Sequence, residues 1–327
     1  MSDWSFPQSL QHLRAVFDLN QLLKQHYDYQ KFPSPQLANS SDRQMDSGWR
    51  RGIVQYYKQS GIGYRKYHSV QGSIHLAINE TNEFDPDGYY TQPRKVAEEI
   101  QALQAKTVLE VGCGMGFNSR FLAEKFAAMQ FLGLDLSPEN LRWATRSTPV
   151  YPNLQFRQGD FNQTGLAPAS QEVVFAIECL CYAPDISVVL SELYRVLRSG
   201  GRLIIYDGYR CEGFDQQSDD YRMATQLAEL GMALPQGFRT LQTWLDIAQS
   251  VGFRTIVCDN QTAGVLPNLR HLQKRAEDFL KRSWQVKLLN FWRPYLCGNT
   301  ISGLLLAFIC DLDQGTHCYY HWVLEKP

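Results

Sequence analysis

The ten residues from Thr107 to Gly116, Thr-Val-Leu-Glu-Val-Gly-Cys-Gly-Met-Gly, restrict what this chain can fold into more than any other stretch. A short apolar run broken by one acid reads as a buried parallel strand, and three alternating glycines let the backbone turn tightly at its carboxyl end. A helix is predicted to follow at once, Phe117 to Phe126. Such a unit sets backbone N–H groups and a helix N-terminus beside any ligand in the crevice. A dinucleotide fingerprint, Gly-x-Gly-x-x-Gly, needs a third glycine where this chain has Phe117, whereas Gly112, Gly114 and Gly116 spell Gly-x-Gly-x-Gly. Glycine turns after strands also serve packing alone, so the rest of the chain has to decide.

With 327 residues, 44% of them hydrophobic and 20% charged, the chain suits one large α/β domain with additions, or two modest domains. A formal net charge of -1 argues against a nucleic-acid partner, which usually leaves a basic domain. Eight cysteines, at 113, 179, 181, 211, 258, 297, 310 and 318, form no Cys-x-x-Cys pair. That suits reduced thiols in a cytoplasmic compartment rather than a disulfide framework or a zinc site, and no metal is expected. Asp3, Arg14, Asp18 and Lys24 break up the apolar positions of the N-terminus, so no signal peptide is expected. The longest apolar run, Ile301 to Cys310, is about half of the roughly 20 residues that span a bilayer, so no transmembrane segment is expected either.

Acids recur at the ends of the predicted strands. The second run, Phe131 to Asp135, ends 19 residues beyond Gly116, and a carboxylate there can accept hydrogen bonds from both hydroxyls of a ribose. Leu136 follows, and Ser137 and Pro138 open a helix reaching about Ser147. Leu154 to Gln158 alternates as a third strand and leads into Gly159-Asp160-Phe161. Glu172 to Ile177 is the fourth, ending in Glu178-Cys179-Leu180-Cys181-Tyr182-Ala183-Pro184-Asp185. A helix over Ile186 to Leu197, a stop at Arg198-Ser199-Gly200-Gly201 and a fifth strand over Arg202 to Asp207 complete this region. Arg254 to Asp259 reads as a sixth strand and Thr316 to Leu324 as the last.

The glycine turn with Glu110, the acids Asp135 and Asp160, and the block Glu192 to Leu203, Glu-Leu-Tyr-Arg-Val-Leu-Arg-Ser-Gly-Gly-Arg-Leu, together resemble the class I S-adenosylmethionine (SAM) dependent methyltransferases. The resemblance covers about Lys106 to Gly208 and is nearest to the sterol, tocopherol and quinone-precursor C-methyltransferase group. It implies an α/β, Rossmann-like sheet of seven strands with the last one antiparallel, SAM as cofactor, S-adenosyl-L-homocysteine as product, and no metal. By the same resemblance Glu110, Gly112, Gly114, Gly116, Asp135, Leu136, Asp160 and Phe161 bind the cofactor, with Asp160 at the adenine amino group and Phe161 near the ring. Two departures stand out. Where the sterol group tends to have an acid and then His-Ala-Pro-Asp, Tyr182 replaces the histidine. Its upstream aromatic, glycine and histidine patch is echoed loosely by Gly72-Ser73-Ile74-His75, one residue shorter.

The additions divide the chain as residues 1–92, an N-terminal helical and aromatic lid; 93–260, the SAM-binding core with an inserted helix within about 211–236; 261–315, a helical cap; and 316–327, the final strand of the core. Leu10, Leu13, Val16, Phe17 and Leu23 fall at helical spacing in the first ~25 residues, and Pro33 to Ser41 reads as a loop. Trp49 to Tyr90 is dense in aromatic residues, which suits either a lid over a site or an ordinary capping subdomain. The stretch containing Arg275, Phe279, Lys281, Arg282, Trp284, Lys287, Phe291 and Trp292 can roof a hydrophobic substrate, lie on a membrane surface, or pack against the lid.

A sulfonium methyl is already electrophilic, so the protein has to align an acceptor and exclude water. Methylation of an alkene or ring carbon leaves positive charge on carbon, and a base must then remove a proton. Glu178 is the first candidate, with His75 and Tyr182 next; an oxygen acceptor would call on His68 or His75. The expected function is a SAM-dependent methyltransferase of a lipophilic small molecule, isoprenoid, sterol-like or another natural product, with a carbon acceptor favoured. The alternatives are an O- or N-methyltransferase of a small metabolite and a SAM-binding, catalytically silent partner subunit. Peripheral membrane contact and oligomeric state stay open at this point.

Overall fold

In the computed structural model, which describes residues 4–19, 42–69, 71–146, 149, 151–234 and 236–327, seven strands form one sheet in the order β3-β2-β1-β4-β5-β7-β6. They are β1 (Thr107–Val111), β2 (Gln130–Asp135), β3 (Leu154–Gln158), β4 (Gln171–Ile177), β5 (Leu197–Arg210), β6 (Arg254–Asn260) and β7 (His317–Glu325). The first five are parallel, and β7 runs antiparallel between β5 and β6. This is the class I methyltransferase sheet that the sequence implied. Strand order reverses at β1, which has β2 on one side and β4 on the other. In an open parallel sheet that reversal leaves a crevice at the carboxyl ends, so the glycine turn lies where a ligand fits.

Alternation along the strands divides the core in two. Val108, Phe131, Val173, Phe175 and Ile204 face one layer, closed by α3 (Thr91–Leu103) through Val96 and Ile100 and by α4 (Phe117–Lys125) through Leu122. Leu109, Val111, Leu134, Val174, Ala176, Leu203 and Ile205 face the other, closed by α6 (Ile186–Val196) through Val189, Leu190 and Leu193 and by α8 (Leu241–Val251) through Trp244. Both faces are apolar because both are covered by helices. α5 (Pro138–Arg146) follows β2.

Around this core sit the additions. α1 (Phe6–Val16) starts at Ser5, which forms a reciprocal cap with Gln8, and buries Leu10, Leu13 and Val16. Residues 20–41, which include Leu23 and the loop read at Pro33 to Ser41, lie outside the described residues. α2 (Asp42–Gly63) runs into a π-turn, Tyr64–His68. The inserted α7 (Asp219–Gly231) is followed much later by α9 (Thr262–Leu280), α10 (Ser283–Trp292) and α11 (Pro294–Ile309). A side chain at Gly231 would collide with the Gly298 carbonyl and the Ser302 hydroxyl, so α7 and α11 meet backbone to backbone. Ser302 Oγ donates to the Ala228 carbonyl at 2.6 Å across that contact.

The structure corrects two boundaries. α1 ends at Val16 and Phe17 is extended, short of the ~25 residues read at helical spacing. The helix read to Leu197 ends at Val196, as its stop at Arg198 to Gly201 implies, but β5 already begins at Leu197 rather than at Arg202. The Gly200 N–H donates to the Lys326 carbonyl at 2.7 Å and the Lys326 N–H to the Gly201 carbonyl at 3.0 Å, so pairing beside β7 draws this stretch into the sheet, with Gly200 itself left-handed at φ 75°. No helix among the described residues is long and apolar enough to cross a membrane.

Candidate active site

The glycine turn is packed on three sides. Gly112, Gly114 and Gly116 have φ of 66°, 52° and 77°, and side chains there would run into Cys179, Ile74 and Phe156 respectively. Backbone strain and close approach both demand glycine. Asp135, at the end of β2, closes over the turn. Its Oδ2 accepts from the Gly114 N–H at 2.8 Å, and its Oδ1 from the Ser137 N–H at 2.8 Å and Asn140 Nδ2 at 3.3 Å. Burial raises its carboxyl above the ordinary range, and those hydrogen bonds draw it back. Each oxygen has two lone pairs, so Oδ2 retains acceptor capacity for a ligand hydroxyl.

Glu110 does a different job. Its oxygens accept from Asn118 Nδ2 at 3.0 Å, from the Ser119 N–H at 3.1 Å and from the Ser119 hydroxyl, so it ties β1 to the first turn of α4. Burial lifts this carboxyl to about 7, against the pull of those donors. Asp160 accepts from the Asn162 N–H at 2.8 Å and Nδ2 at 2.6 Å, and pairs with Arg50 of α2 at 2.8 Å. Leu136 and Phe161 lie in an apolar cluster with Ile53 and Tyr57 of α2, Tyr182, and Leu234 beyond α7.

Glu178 sits just past β4 with φ at 52°, a left-handed conformation uncommon for a residue with a side chain. Its own N–H donates to the Tyr206 carbonyl at 2.7 Å, anchoring it to β5. Its Oε1 accepts from the Leu76 N–H at 2.8 Å and from the Tyr319 hydroxyl at 2.8 Å. Loss of solvent around this half-buried carboxyl drives it to about 8, with a smaller push from Asp207. Asp207 takes the Cys181 N–H at 2.9 Å, and burial lifts it to about 6.

A segment from the N-terminal region crosses this rim. Ile74 covers Gly114, the Leu76 N–H meets Glu178, and the Ala77 and Asn79 N–H groups reach Asn268 Oδ1 at 2.9 Å and the Gly264 carbonyl at 2.8 Å in α9. Within it His75 is engaged at both nitrogens, Nδ1 with the Leu76 carbonyl at 2.9 Å and Nε2 with Asn118 Oδ1 at 3.0 Å. Burial lowers its pKa, and burial brings that of His68 down to about 4. His68 Nε2 is within 2.8 Å of the His75 carbonyl. The Tyr182 hydroxyl donates to the Met232 carbonyl at 2.8 Å and so holds the chain that follows α7.

Tyrosines form a wall beside this rim. Tyr57 stands edge-on to Tyr182 at 6.2 Å between centroids and stacks on Tyr64 at 6.1 Å. The Tyr56 and Tyr64 hydroxyls share a hydrogen bond of 2.7 Å, and Asn299 Nδ2 of α11 donates to the Tyr64 oxygen at 3.1 Å. The predicted residues therefore gather at one rim: the turn, Asp135, Leu136, Asp160, Phe161, Glu178 and Tyr182, with Glu110 and His75 supporting them from behind. Sequence reasoning passed over Tyr319, Asn118, Arg50 and Asp207. Of these only Asp207, an acid ending a strand like the others, had a local signal. Among the described residues no three His, Cys, Asp or Glu side chains are grouped to hold a metal ion.

Residues 109–205 match the family described as "Methyltransferase domain". The sterol 24-C-methyltransferase of Eremothecium gossypii is 29% identical over 157 residues, 47% of this chain and 42% of that protein, so the chain spans under half the length of this relative. Among solved structures, a cyclopropane synthase from Mycobacterium tuberculosis aligns with a TM-score of 0.67 and 13% identity over 85% of this chain and 98% of that one. The geranyl diphosphate C-methyltransferase of Streptomyces coelicolor, solved with Mg2+, geranyl diphosphate and S-adenosyl-L-homocysteine, aligns with a TM-score of 0.58 and 14% identity, covering 85% of this chain and 98% of that one. At these identities the structural likeness concerns the fold.

Proposed function

We propose that this chain, whose central domain is a class I methyltransferase domain, transfers a methyl group from SAM to a carbon atom of a lipophilic small molecule of isoprenoid or sterol-like kind. The observation that carries this reading is Glu178, a half-buried carboxyl raised to about 8 and fixed by Tyr319 and the Leu76 N–H. Once ionised, a carboxyl raised this far is a strong base and suits removal of a proton from a carbon skeleton. The resemblance to a sterol 24-C-methyltransferase, and the fold shared with a geranyl diphosphate C-methyltransferase, support an isoprenoid acceptor.

The residues fit the cofactor. The turn is stripped of side chains at the three positions nearest Cys179, Ile74 and Phe156, and Asp135 offers spare acceptor capacity to a ribose diol. Leu136 and Phe161 supply apolar surface for an adenine and Asp160 an acceptor for its amino group, while Glu110 fixes the first turn of α4. When bound, SAM supplies a methyl group on a positively charged sulfur. The faces of Tyr57, Tyr64 and Tyr182 stabilise positive charge that develops on the acceptor carbon. Glu178, in its ionised form, then accepts the departing proton, and Tyr319 keeps it oriented. An oxygen acceptor would need a free base, and His75 is held at both nitrogens.

In this reading residues 1–92 and 261–315 form the lid and cap, 93–260 the core and 316–327 its final strand. All eight cysteines are free thiols, which suits a cytoplasmic compartment. The test has two arms. Saturating SAM or S-adenosyl-L-homocysteine raises the melting temperature, and incubation of lipid extracts with isotopically labelled SAM puts label on carbon. No thermal shift overturns the cofactor; label confined to hydroxyls or amines overturns the carbon acceptor.

A further inference from the structure

Eight large hydrophobic side chains stand exposed among the described residues, and four of them share one helix. In α10, Trp284, Leu288, Phe291 and Trp292 are 70%, 59%, 80% and 71% exposed. Their spacing of four, three and one places them on one face. Val286, fully buried, and Leu289, partly buried, pack the other side of α10 onto the core. The helix thus has an apolar face spent on the fold and a second, aromatic one turned to solvent.

Charge identifies what covers that second face. Between Asp278 and Asp311 the chain contains Lys281, Arg282, Lys287 and Arg293 and no acid. Arg282, Lys287 and Arg293 are exposed, Arg282 and Arg293 flanking the two ends of α10 and Lys287 within it. A second copy of the chain, docked symmetrically, would set this basic patch against itself. An anionic bilayer meets both features, since tryptophan and phenylalanine settle at the headgroup boundary and lysine and arginine pair with lipid phosphates. We infer that α10 docks the protein on an anionic lipid surface, lying flat in the interface.

The face is joined to the rim through α11. The Tyr295 N–H donates to Gln59 Oε1 at 3.3 Å, and the Ser60 hydroxyl donates to the Tyr295 carbonyl at 3.3 Å. These contacts tie the α10–α11 junction to α2, the helix that carries Tyr56 and Tyr57. A docked molecule would hold its tyrosine wall within one helix of the lipid phase, where a lipophilic acceptor resides. The docking itself does not depend on the proposed reaction.

The experiment is co-sedimentation of the full chain with phosphatidylcholine vesicles containing or lacking phosphatidylglycerol. The protein is expected to pellet with the anionic vesicles, at least about tenfold more weakly with neutral ones, and less as salt rises. Two triple variants sharpen it, Trp284→Ser with Phe291→Ser and Trp292→Ser, and Arg282→Glu with Lys287→Glu and Arg293→Glu. Each is expected to lose about tenfold or more of the binding while keeping the wild-type melting temperature, because the altered side chains face solvent. Failure of the wild type to pellet with anionic vesicles overturns the inference. So does equal pelleting of either variant, or a dimer by light scattering that the aromatic variant dissolves. Each of these outcomes is independent of whether SAM binds.

Discussion

The two ends of the sheet treat carboxylates in opposite ways. At the amino ends of the parallel strands, Glu172 pairs with Arg198 and takes the Lys106 and Thr107 N–H groups, and Glu325 pairs with Arg254. Burial pushes Glu172 up, but the backbone donors and Arg198 outweigh it and hold this carboxyl below its ordinary value. At the carboxyl ends, Glu110, Asp135 and Asp207 are buried and Glu178 is half-buried; all four accept from amide and hydroxyl donors, and desolvation raises all four. The amino end binds its acids as ions and gains stability. The carboxyl end keeps acids where ionisation is unfavourable, which costs stability and gives a strong base and a rim suited to a cationic ligand.

Glu178→Gln cuts deepest into this contrast. Turnover is expected to fall by about 100- to 10,000-fold in single-turnover assays with SAM affinity nearly unchanged; retained turnover would reduce Glu178 to a structural role. Asp135→Ala is expected to weaken SAM by about 100-fold in calorimetry, through loss of charge-assisted hydrogen bonds. The third effect is on stability against pH. An unfolded carboxyl ionises near 4, whereas native Glu178, Glu110 and Asp207 keep their protons to about 8, 7 and 6. The native state therefore binds more protons over that window, and stability falls as pH rises from about 4 to 8, by at least ~2 kcal/mol. Denaturant titrations at pH 5 and pH 8 measure it, and Glu178→Gln should flatten the slope. Glu172 contributes with the opposite sign, its stabilisation present above its unfolded pKa and lost on acidification. Smallest of all, Arg254→Ala at the amino end should cost no more than ~1 kcal/mol and leave turnover alone, because Arg254 is 64% exposed.

What the sequence made legible was local. The glycine turn, Asp135 and the strand-end acids belong to single strand-turn-helix units, so spacing locates them. Tyr319 reaches Glu178 across 141 residues and Asn268 reaches Ala77 across 191, and no spacing rule encodes such meetings. The long α2 went unread for another reason. Ile53, Tyr56 and Ser60, buried at 7%, 0% and 0%, fall at helical spacing, but tyrosine and serine do not register as apolar. The hydroxyls find partners in Tyr64 and the Tyr295 carbonyl, which is why the helix can bury them. The helix stop read at Arg198 to Gly201 is right to within one residue, but the strand starts earlier than read because Lys326, far along the chain, recruits Gly200 and Gly201 into the sheet.

The insertion of β7 between β5 and β6 sets an order of events during biosynthesis. β6 touches the sheet through β7, and Tyr319, which orients Glu178, lies on β7 itself. A nascent chain still on the ribosome can assemble the five parallel strands and the glycine turn, but translation must pass residue 325 before the base acquires its hydroxyl partner and the outer strand its place.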